Sequence, residues 1–238
     1  MVLVRWGRAP ETIESKRAGD LTIITIDGPA ASGKTSVSRE LARRHGWDWV
    51  STGAFYRGLA YVALEKGVNL EDEQALADLC LDDSWSVRMT EETTLVYLGD
   101  LDVTAEIFRE ETGNAASKIS SYPKVRQNLL EAQRNCATEG QWMVAEGRDC
   151  GTVVFPTARV KIYLTARQES RAARRAQEQG KSLEETQKLQ KIRDHQDSSR
   201  KAAPMQAAED ALIVDTSTMN LQEVVDHVDG LVRKELEL

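Results

Sequence analysis

Short apolar runs and helical patterns alternate along the chain after residue 20. The run Leu21–Ile26 is continuous and rich in β-branched residues, which predicts a buried strand. Val37, Leu41 and Ala42 then recur at helical spacing and predict an amphipathic helix over residues 34–45. Further short, nearly continuous runs predict strands at Trp47–Ser51, Trp142–Ala145, Val160–Leu164 and Ala211–Val214. Because helical segments separate these runs, we expect an α/β fold with a central parallel sheet of about five strands flanked by helices.

One segment departs from this alternation. After a short helical pattern over residues 71–80, two β-rich runs, Trp85–Met89 and Thr94–Leu98, are separated by the turn sequence TEET. Adjacent short strands joined by a tight turn are typical of antiparallel pairing. The pattern therefore predicts a small antiparallel subdomain inserted at about residues 70–112.

The two ends of the chain differ in pattern. Residues 1–19 lack periodicity, so we expect a loose extension before a domain that covers residues 20–238. Near the C-terminus, Asn220 and Glu223 have the spacing of a capping box, which predicts the start of a helix. The apolar face of that helix consists of Leu221, Val224, Val225, Val228, Leu231 and Val232.

Composition restricts the possible functions. The 238 residues are 41% hydrophobic and contain no apolar run near the roughly 20 residues that span a bilayer, so we expect a cytoplasmic protein without a membrane partner. Cys80, Cys136 and Cys150 have no metal-ligand spacing and are expected to be buried thiols, with no disulfide and no zinc site. A net charge of −7 argues against sequence-independent nucleic-acid binding. Any anion site must therefore be built from a local cluster of basic residues.

The segment GPAASGKT, residues 28–35, follows the first predicted strand and precedes the first predicted helix. Gly28 and Gly33 allow a tight turn in which backbone N–H groups and the helix N-terminus point at an anion, while Lys34 adds a positive charge. The hydroxyl of Thr35 can bind Mg²⁺. A glycine-rich turn without function is the alternative, but the strand and helix context favours a P-loop that binds a triphosphate. The residues expected to bind it, which is ATP if the chain is a kinase, are Gly28, Pro29, Ala30, Ala31, Ser32, Gly33, Lys34, Thr35 and Ser36.

The P-loop alone does not identify the reaction, because GTPases, motor ATPases and small-molecule kinases share it. The Asn-Lys-x-Asp motif that reads guanine does not occur in the sequence. Phosphoryl transfer to a nucleoside monophosphate brings two anions together, which requires several positioned cations. Candidate cations are Arg57, Arg126, Arg148, Arg193 and Arg200, together with a helical stripe formed by Arg167, Arg171, Arg174 and Arg175.

Several motifs occur together in one order: TIDGPAASGKTS, STGAFYR, NAAS, YPKVR, EGRDCGTVVFP and the spacing of Arg193, Asp197 and Arg200 in RDHQDSSR. In this order the chain resembles bacterial cytidylate kinases from about Thr22 to its C-terminus. The resemblance implies a P-loop kinase, dependent on ATP and Mg²⁺, that converts CMP and dCMP to the diphosphates for pyrimidine nucleotide supply. We expect it to act as a monomer.

The resemblance also implies how the acceptor phosphate is held. Arg57, Arg148 and Arg200 match the arginines that bind this phosphate in the family, and Thr52 lies in the same motif as Arg57. Arginine suits this task because its planar fork makes paired, charge-assisted hydrogen bonds. Outside this motif, Arg57 would be interpreted as a solvated helix residue.

Base and sugar contacts are likewise implied by the resemblance. Ser117 and Asp149 match acceptors for the cytosine amino group, and Arg126 matches a donor to the ring. Arg193 and Asp197 match contacts to the ribose hydroxyls. The alternatives are helix packing for Ser117, a helix cap or an ion pair with Arg148 for Asp149, and a surface pair at spacing i,i+4 for Arg193 and Asp197.

In the family, the segment that matches residues 167–181 is a lid over the triphosphate. Of its basic stripe, we expect Arg171 and Arg175 to contact phosphate, although such a stripe is usually a solvated face. With Lys34 and Arg148 they form the expected catalytic set. No general base is expected, because a phosphate monoester oxygen is already ionised at neutral pH.

The chain departs from the family pattern at a few positions. Ser51 stands where many relatives have an acidic residue, Phe108 stands where arginine is common, and Thr35 replaces a glycine found in some relatives. Two other functions remain open from the residues alone. One is a P-loop kinase for another small acceptor such as shikimate, and the other is a regulatory protein that binds ATP without transfer.

Overall fold

The computed structural model describes residues 2–4, 21–90, 93–138, 140–180, 182–200 and 202–238. Its elements are, in chain order, β1 (Val2–Val4), β2 (Thr22–Asp27), α1 (Lys34–His45), β3 (Asp48–Ser51), α2 (Thr52–Glu65), α3 (Glu73–Cys80), β4 (Trp85–Met89), β5 (Thr94–Leu98), β6 (Leu101–Asp102), α4 (Thr104–Ile107), α5 (Glu110–Ile119), α6 (Pro123–Arg134), β7 (Trp142–Gly147), a π-helical turn (Cys150–Val154), β8 (Val160–Thr165), α7 (Gln168–Gln179), α8 (Leu183–Ser198), β9 (Leu212–Asp215) and α9 (Leu221–Leu236).

Within the described part of the chain, the larger sheet is parallel and has the strand order β3-β7-β2-β8-β9. In its register, Ile24 of β2 lies opposite Val160 of β8, and Ile162 of β8 lies opposite Leu212 of β9. All six residues of β2 are buried, as expected for a strand covered on both faces by helices. The predicted α/β fold with about five parallel strands is confirmed.

The chain forms two compact units. The first contains the described residues of Met1–Thr22 and Trp47–Met143, and the second contains Ile23–Gly46 and Val144–Leu238. No helix among the described residues combines the length and the apolar character needed to cross a membrane.

The first unit contains the antiparallel sheet, with the strand order β1-β4-β5-β6. Strands β4 and β5 have the bounds expected from the sequence, and Trp85, Val87 and Met89 of β4 are buried on alternate positions. These strands lie inside the interval 70–112 predicted for the insertion, whereas the compact unit around them runs from Trp47 to Met143.

The segment expected to be a loose extension has a described part of three residues. Val2–Val4 form β1, which pairs antiparallel with β4 and places Leu3 opposite Arg88. Residues 5–20 lie outside the described residues, so the expectation for them stays a prediction.

In the second unit, α9 starts as its sequence indicates. The side chain of Asn220 accepts a hydrogen bond from the Glu223 N–H, and the Glu223 carboxylate accepts one from the Asn220 N–H, so the predicted capping box is confirmed. The helix packs on α1, where Arg44 donates to Asp226 at 2.7 Å and His45 lies 2.6 Å from Asp229. These contacts join the C-terminal helix to the helix that follows the P-loop.

Candidate functional site

The loop between β2 and α1 has the backbone geometry that its glycines predict. Gly28 has φ of 152°, and a Cβ at this position would lie 2.2 Å from the carbonyl oxygen of Leu164 in β8. Gly33 caps α1 in the left-handed region, with φ of 90°. A side chain at residue 28 would collide with backbone atoms, so the close approach of the loop to β8 requires glycine.

Lys34 turns back across the loop that precedes it. Its ammonium group donates to the Pro29 carbonyl oxygen at 3.1 Å. The pKa of Lys34 falls to about 7, first because burial disfavours the ammonium and next because Arg148 repels it, while nearby carboxylates oppose this shift. An anion bound in the loop would favour the charged form, as a phosphate-binding lysine requires.

Asp27, the last residue of β2, links the start of this loop to a second one. Its buried carboxylate accepts hydrogen bonds from the N–H groups of Cys150 at 2.9 Å and Gly151 at 2.7 Å. Burial is the largest influence on its pKa, which rises to about 6 although the two hydrogen bonds oppose that rise. Beside it, Arg148 donates to the Gly28 carbonyl oxygen at 2.6 Å. Residues 148–151 are therefore held against residues 27 and 28.

A carboxylate on α8 joins two of the expected acceptor-binding arginines. Asp197 lies 2.8 Å from Nε of Arg148, and its other oxygen pairs with Arg200. The side chains of Asp197 and Arg200 are each 6% exposed, against 24% for Arg148. Arg193, one turn earlier on α8, is half-buried. Because Asp197 is buried, a solvated surface pair does not describe it.

Asp149 lies between Arg148 and the π-helical turn. It is buried, and its side chain makes no capping hydrogen bond to that turn. Its backbone carbonyl oxygen accepts from Val153 at 2.9 Å instead. The alternative interpretation of Asp149 as a helix cap is therefore wrong.

The arginines of α7 have different surroundings. Nη1 of Arg171 donates to the Ala30 carbonyl oxygen of the P-loop at 3.1 Å and to Asp194 at 2.6 Å. Arg174 donates to the backbone oxygens of Thr216 and Met219 and to the Thr216 hydroxyl, which in turn donates to the Ser32 carbonyl oxygen of the P-loop. Arg175 lies one turn after Arg171 and is half-buried, while Arg167 is exposed just before the helix. Arg171 is thus brought to the P-loop, and its contact with phosphate stays a prediction.

Thr35, the expected metal ligand, contacts a carboxylate that sequence reasoning did not assign. Its hydroxyl donates to Oε1 of Glu146 at 3.2 Å, and Glu146 is buried near the end of β7. No group of three His, Cys, Asp or Glu with the arrangement of a metal centre occurs among the described residues. A hydroxyl and one carboxylate fit Mg²⁺, which takes oxygen ligands and is usually held by one or two protein groups plus phosphate and water.

In the first unit, Arg57 is held on α2 by backbone and aromatic groups. Its Nη1 donates to the Ile107 carbonyl oxygen at 2.9 Å, and its guanidinium carbon lies 5.6 Å from the centre of the Phe108 ring. A Cβ at Gly113 would lie 3.1 Å from Nη1 of Arg57, so the side chain packs closely on α5. Phe108, a departure from the family pattern, therefore contributes a cation–π contact to Arg57.

The remaining expected residues of the first unit lie on its helices. Arg126 is buried on α6, donates to the Ser120 carbonyl oxygen at 3.1 Å and has its guanidinium carbon 5.5 Å from the centre of the Tyr56 ring. Thr52 is buried at the start of α2, where its carbonyl oxygen accepts from Gln133. Ser117 is half-buried on α5. Tyr56 and Arg57 are neighbours on α2. This helix therefore carries Arg57 and contacts Arg126 through Tyr56.

Sequence reasoning missed three carboxylates that organise the second unit. Asp27, Glu146 and Asp194 each contact a residue of the expected site or of the loop that carries it. Asp27 and Glu146 are acidic residues at the ends of buried apolar runs, a position where ligands of open α/β sheets gather. That position could have identified Asp27 and Glu146 from the sequence, whereas no comparable signal marks Asp194.

Comparison with known proteins shows the family of the chain. The family model described as cytidylate kinase matches residues 24–234. A cytidylate kinase of Bdellovibrio bacteriovorus is 60% identical over 214 residues, which cover 90% of this chain and 99% of the relative, and one of a Geobacillus species is 41% identical over 218 residues, which cover 90% and 97%. A crystal structure of an uncharacterized protein from Eubacterium ventriosum covers 90% of this chain and 99% of its own at 12% identity, with a TM-score of 0.50, and supports the fold alone. The chain belongs to the cytidylate kinase family.

Proposed function

We propose that this protein transfers the γ-phosphoryl group of ATP to CMP and dCMP, giving ADP and CDP or dCDP. The observation that carries the proposal is the 60% identity to a relative described as a cytidylate kinase, over 99% of that relative. The P-loop and the arginines around it supply the chemistry that such a transfer needs. The proposed enzyme is a cytoplasmic monomer that acts on small nucleotides.

The donor is bound by the P-loop. Backbone N–H groups of residues 30–35 and the N-terminus of α1 contact the phosphates of ATP, and Lys34 adds a positive charge when the anion raises its pKa from about 7. Thr35, with Glu146 beside it, would hold Mg²⁺. Bound Mg²⁺ supplies charge neutralisation on the triphosphate.

The acceptor phosphate is assigned to Arg57, Arg148 and Arg200. The carboxylate of Asp197 pairs with both Arg148 and Arg200, so these two guanidinium groups converge on one place. Arg57 is fixed by its hydrogen bond to Ile107 and by Phe108. Arginines whose orientation is set before binding lose less entropy when the phosphate arrives.

Selection of cytosine is assigned to Asp149, with Ser117 and Arg126. Cytosine presents an amino donor where uracil presents a carbonyl oxygen, so an ionised carboxylate favours cytosine and repels uracil. Arg126 is buried and held by Ser120, which suits a fixed donor to the ring. Arg193 and Asp197 are assigned to the ribose hydroxyls, and Thr52 is assigned to the acceptor as well.

Phosphoryl transfer needs alignment and charge stabilisation, without a general base. An ionised oxygen of the acceptor phosphate bonds to the γ-phosphorus as the bond from that phosphorus to the β–γ bridging oxygen breaks and ADP leaves, while Lys34, Arg148, Arg171 and Arg175 stabilise the negative charge of the transition state. Arg171 already contacts the P-loop through Ala30. We propose that residues 167–181 close over ATP and exclude water, which would otherwise accept the phosphoryl group.

A panel of acceptors in a coupled assay for ADP release tests the proposal. Purified protein with ATP and Mg²⁺ should release ADP with CMP and dCMP and far less with UMP, AMP or shikimate. Asp149→Asn should narrow the preference for CMP over UMP, whereas a kinase for another acceptor would be indifferent to this substitution. Release of ADP with UMP or AMP but not with CMP would refute the substrate assignment, and ATP binding without turnover on any acceptor would indicate a regulatory protein.

A further inference from the structure

Asp27 has a contact pattern that the P-loop motif does not explain. It precedes Gly28 and ends β2, but both oxygens of its carboxylate face the segment after β7. Each oxygen accepts one backbone N–H, from Cys150 and from Gly151. One side chain therefore satisfies two successive N–H groups at the beginning of the π-helical turn.

The same place carries two further close contacts. Arg148 donates to the carbonyl oxygen of Gly28, the residue that follows Asp27 in the chain. A Cβ at Gly151 would lie 2.9 Å from Oγ1 of Thr25 in β2, so residue 151 lies against that strand without room for a larger side chain. Residues 148–151 are thus bound to the end of β2 at several points, with Asp149 between the bonded positions.

The charge of Asp27 carries an energetic cost in the folded protein. Asp27 is 4% exposed, and burial raises the pKa of its carboxyl group to about 6 despite the two hydrogen bonds. An acid whose pKa is higher in the folded protein than its ordinary 3.8 makes the ionised form unfavourable to folding at neutral pH. A neutral amide of the same shape would avoid that penalty but has a single acceptor oxygen, so only the carboxylate satisfies both N–H groups, and the folded protein holds them at the cost of a buried charge.

We propose that Asp27 is a positioning residue that holds residues 148–151 against the start of the P-loop and thereby sets the positions of Arg148 and Asp149 toward the acceptor. The inference rests on the proposed function, which assigns these two residues to CMP. Asp27 acts through hydrogen bonds to the backbone and touches neither nucleotide. It couples the geometry of the acceptor-binding turn to that of the ATP-binding loop.

The test uses Asp27→Asn, which keeps the shape of the side chain but removes its charge and one of its two acceptor oxygens. A hydrogen bond to a charged group contributes about 1.5–3 kcal/mol, so kcat/KM for CMP should fall by about 10- to 150-fold. The affinity for a non-hydrolysable ATP analogue should stay within about threefold, because the P-loop backbone keeps its own contacts. Hydrogen exchange should become faster at the amides of Cys150 and Gly151 and stay unchanged at Val37 in α1.

Asp229→Asn is the matched control. It removes a carboxylate that holds α9 to α1 through His45, far from residues 148–151 in sequence and outside the assigned machinery. This variant should lose thermal stability and keep kcat/KM per folded molecule. Asp27→Asn should instead keep its thermal stability and lose kcat/KM.

The outcomes separate the inference from the function on which it rests. Equal kcat/KM of the wild type and Asp27→Asn on CMP, or unchanged exchange at Cys150 and Gly151, would overturn the inference alone. A loss of activity matched by equal losses of ATP affinity and thermal stability would reduce Asp27 to a general structural role and would also overturn it. A wild-type protein inactive on CMP would overturn the proposed function, and the role of Asp27 with it.

Discussion

Substitution of Gly58 by alanine tests how the helix that carries Arg57 lies on the antiparallel sheet. A Cβ at Gly58 would lie 2.9 Å from Cζ3 of Trp85 and 3.0 Å from Cγ1 of Val96. Both distances are shorter than ordinary van der Waals contacts, and both partner side chains are buried in the core of this unit. The added methyl group must therefore displace α2 or the strands β4 and β5.

The expected magnitude follows from two opposing terms. Replacing glycine by alanine inside a helix stabilises it by about 1 kcal/mol. Overpacking of a buried contact destabilises by about 1–3 kcal/mol, so the net effect at Gly58 is a loss of about 0–2 kcal/mol. Gly230 on α9 is the matched control, because it is exposed and a Cβ added there would have open space within 4 Å. Gly230→Ala should therefore raise the free energy of unfolding by the full value of about 1 kcal/mol.

Thermal unfolding of the two variants checks this difference. Gly58→Ala should have the lower free energy of unfolding by about 1–3 kcal/mol, and each kcal/mol corresponds to about 2–4 °C in a chain of this size. Because Arg57 adjoins Gly58, the KM for CMP should rise in Gly58→Ala while the affinity for an ATP analogue stays constant. If Gly58→Ala stabilises the protein as much as Gly230→Ala, the close approach of α2 to Trp85 is refuted.

Three further predictions concern charged groups of the second unit. Binding of ATP at pH 8 should take up nearly one proton, because the pKa of Lys34 is about 7 before an anion binds, and Lys34→Met should abolish this uptake in calorimetry with buffers of different ionisation enthalpy. Asp229→Asn should lower the Tm at pH 7, because hydrogen bonds from His45 and Arg233 keep the pKa of this acid below its ordinary 3.8 despite burial; the deficit should vanish in acid once the wild-type carboxylate is protonated. Arg148→Lys should lower kcat/KM for CMP by about 10²-fold, since lysine cannot bind Asp197 and phosphate with a planar fork.

Each of these three has a distinct contradicting result. Equal proton uptake by the wild type and Lys34→Met would assign the titrating group elsewhere. A Tm deficit of Asp229→Asn that persists unchanged in strong acid would show that the deficit does not come from the ionised carboxylate. Full activity of Arg148→Lys would mean that a single positive charge is sufficient and that the fork of the guanidinium has no role.

Local signals were sufficient to predict much of the fold. The helix over 34–45 was predicted with the bounds that it has, because an apolar face and a glycine on each side mark its limits. Strands β4 and β5 were predicted with their correct bounds because a turn separates two β-rich runs. The capping box at Asn220 is a pairing between near neighbours in sequence. In each of these cases the information lies within a few residues.

The parts that were missed depend on contacts between distant segments. Asp27 and Cys150 are 123 positions apart, and Thr35 and Glu146 are 111 apart, so no periodicity links them. The contact of Arg57 with Phe108 likewise joins α2 to the end of α4. The resemblance supplied the candidate site residues, Asp197 among them, but it did not supply Asp27, Glu146 or Asp194, which contact those residues or the loops that carry them.

Two sets of charged groups in the second unit differ in whether folding disfavours or favours their charged forms. At the P-loop, burial raises the pKa of Asp27 and lowers those of Lys34 and Arg148, so folding disfavours each charge. Between α1 and α9, ion pairs lower the pKa values of Asp226 and Asp229, so folding favours those charges. The first set therefore weakens the fold and the second strengthens it. A bound polyphosphate compensates the buried cations directly, so ATP should raise the Tm of the wild type more than that of Lys34→Met, and an equal rise would show that Lys34 makes no such contact.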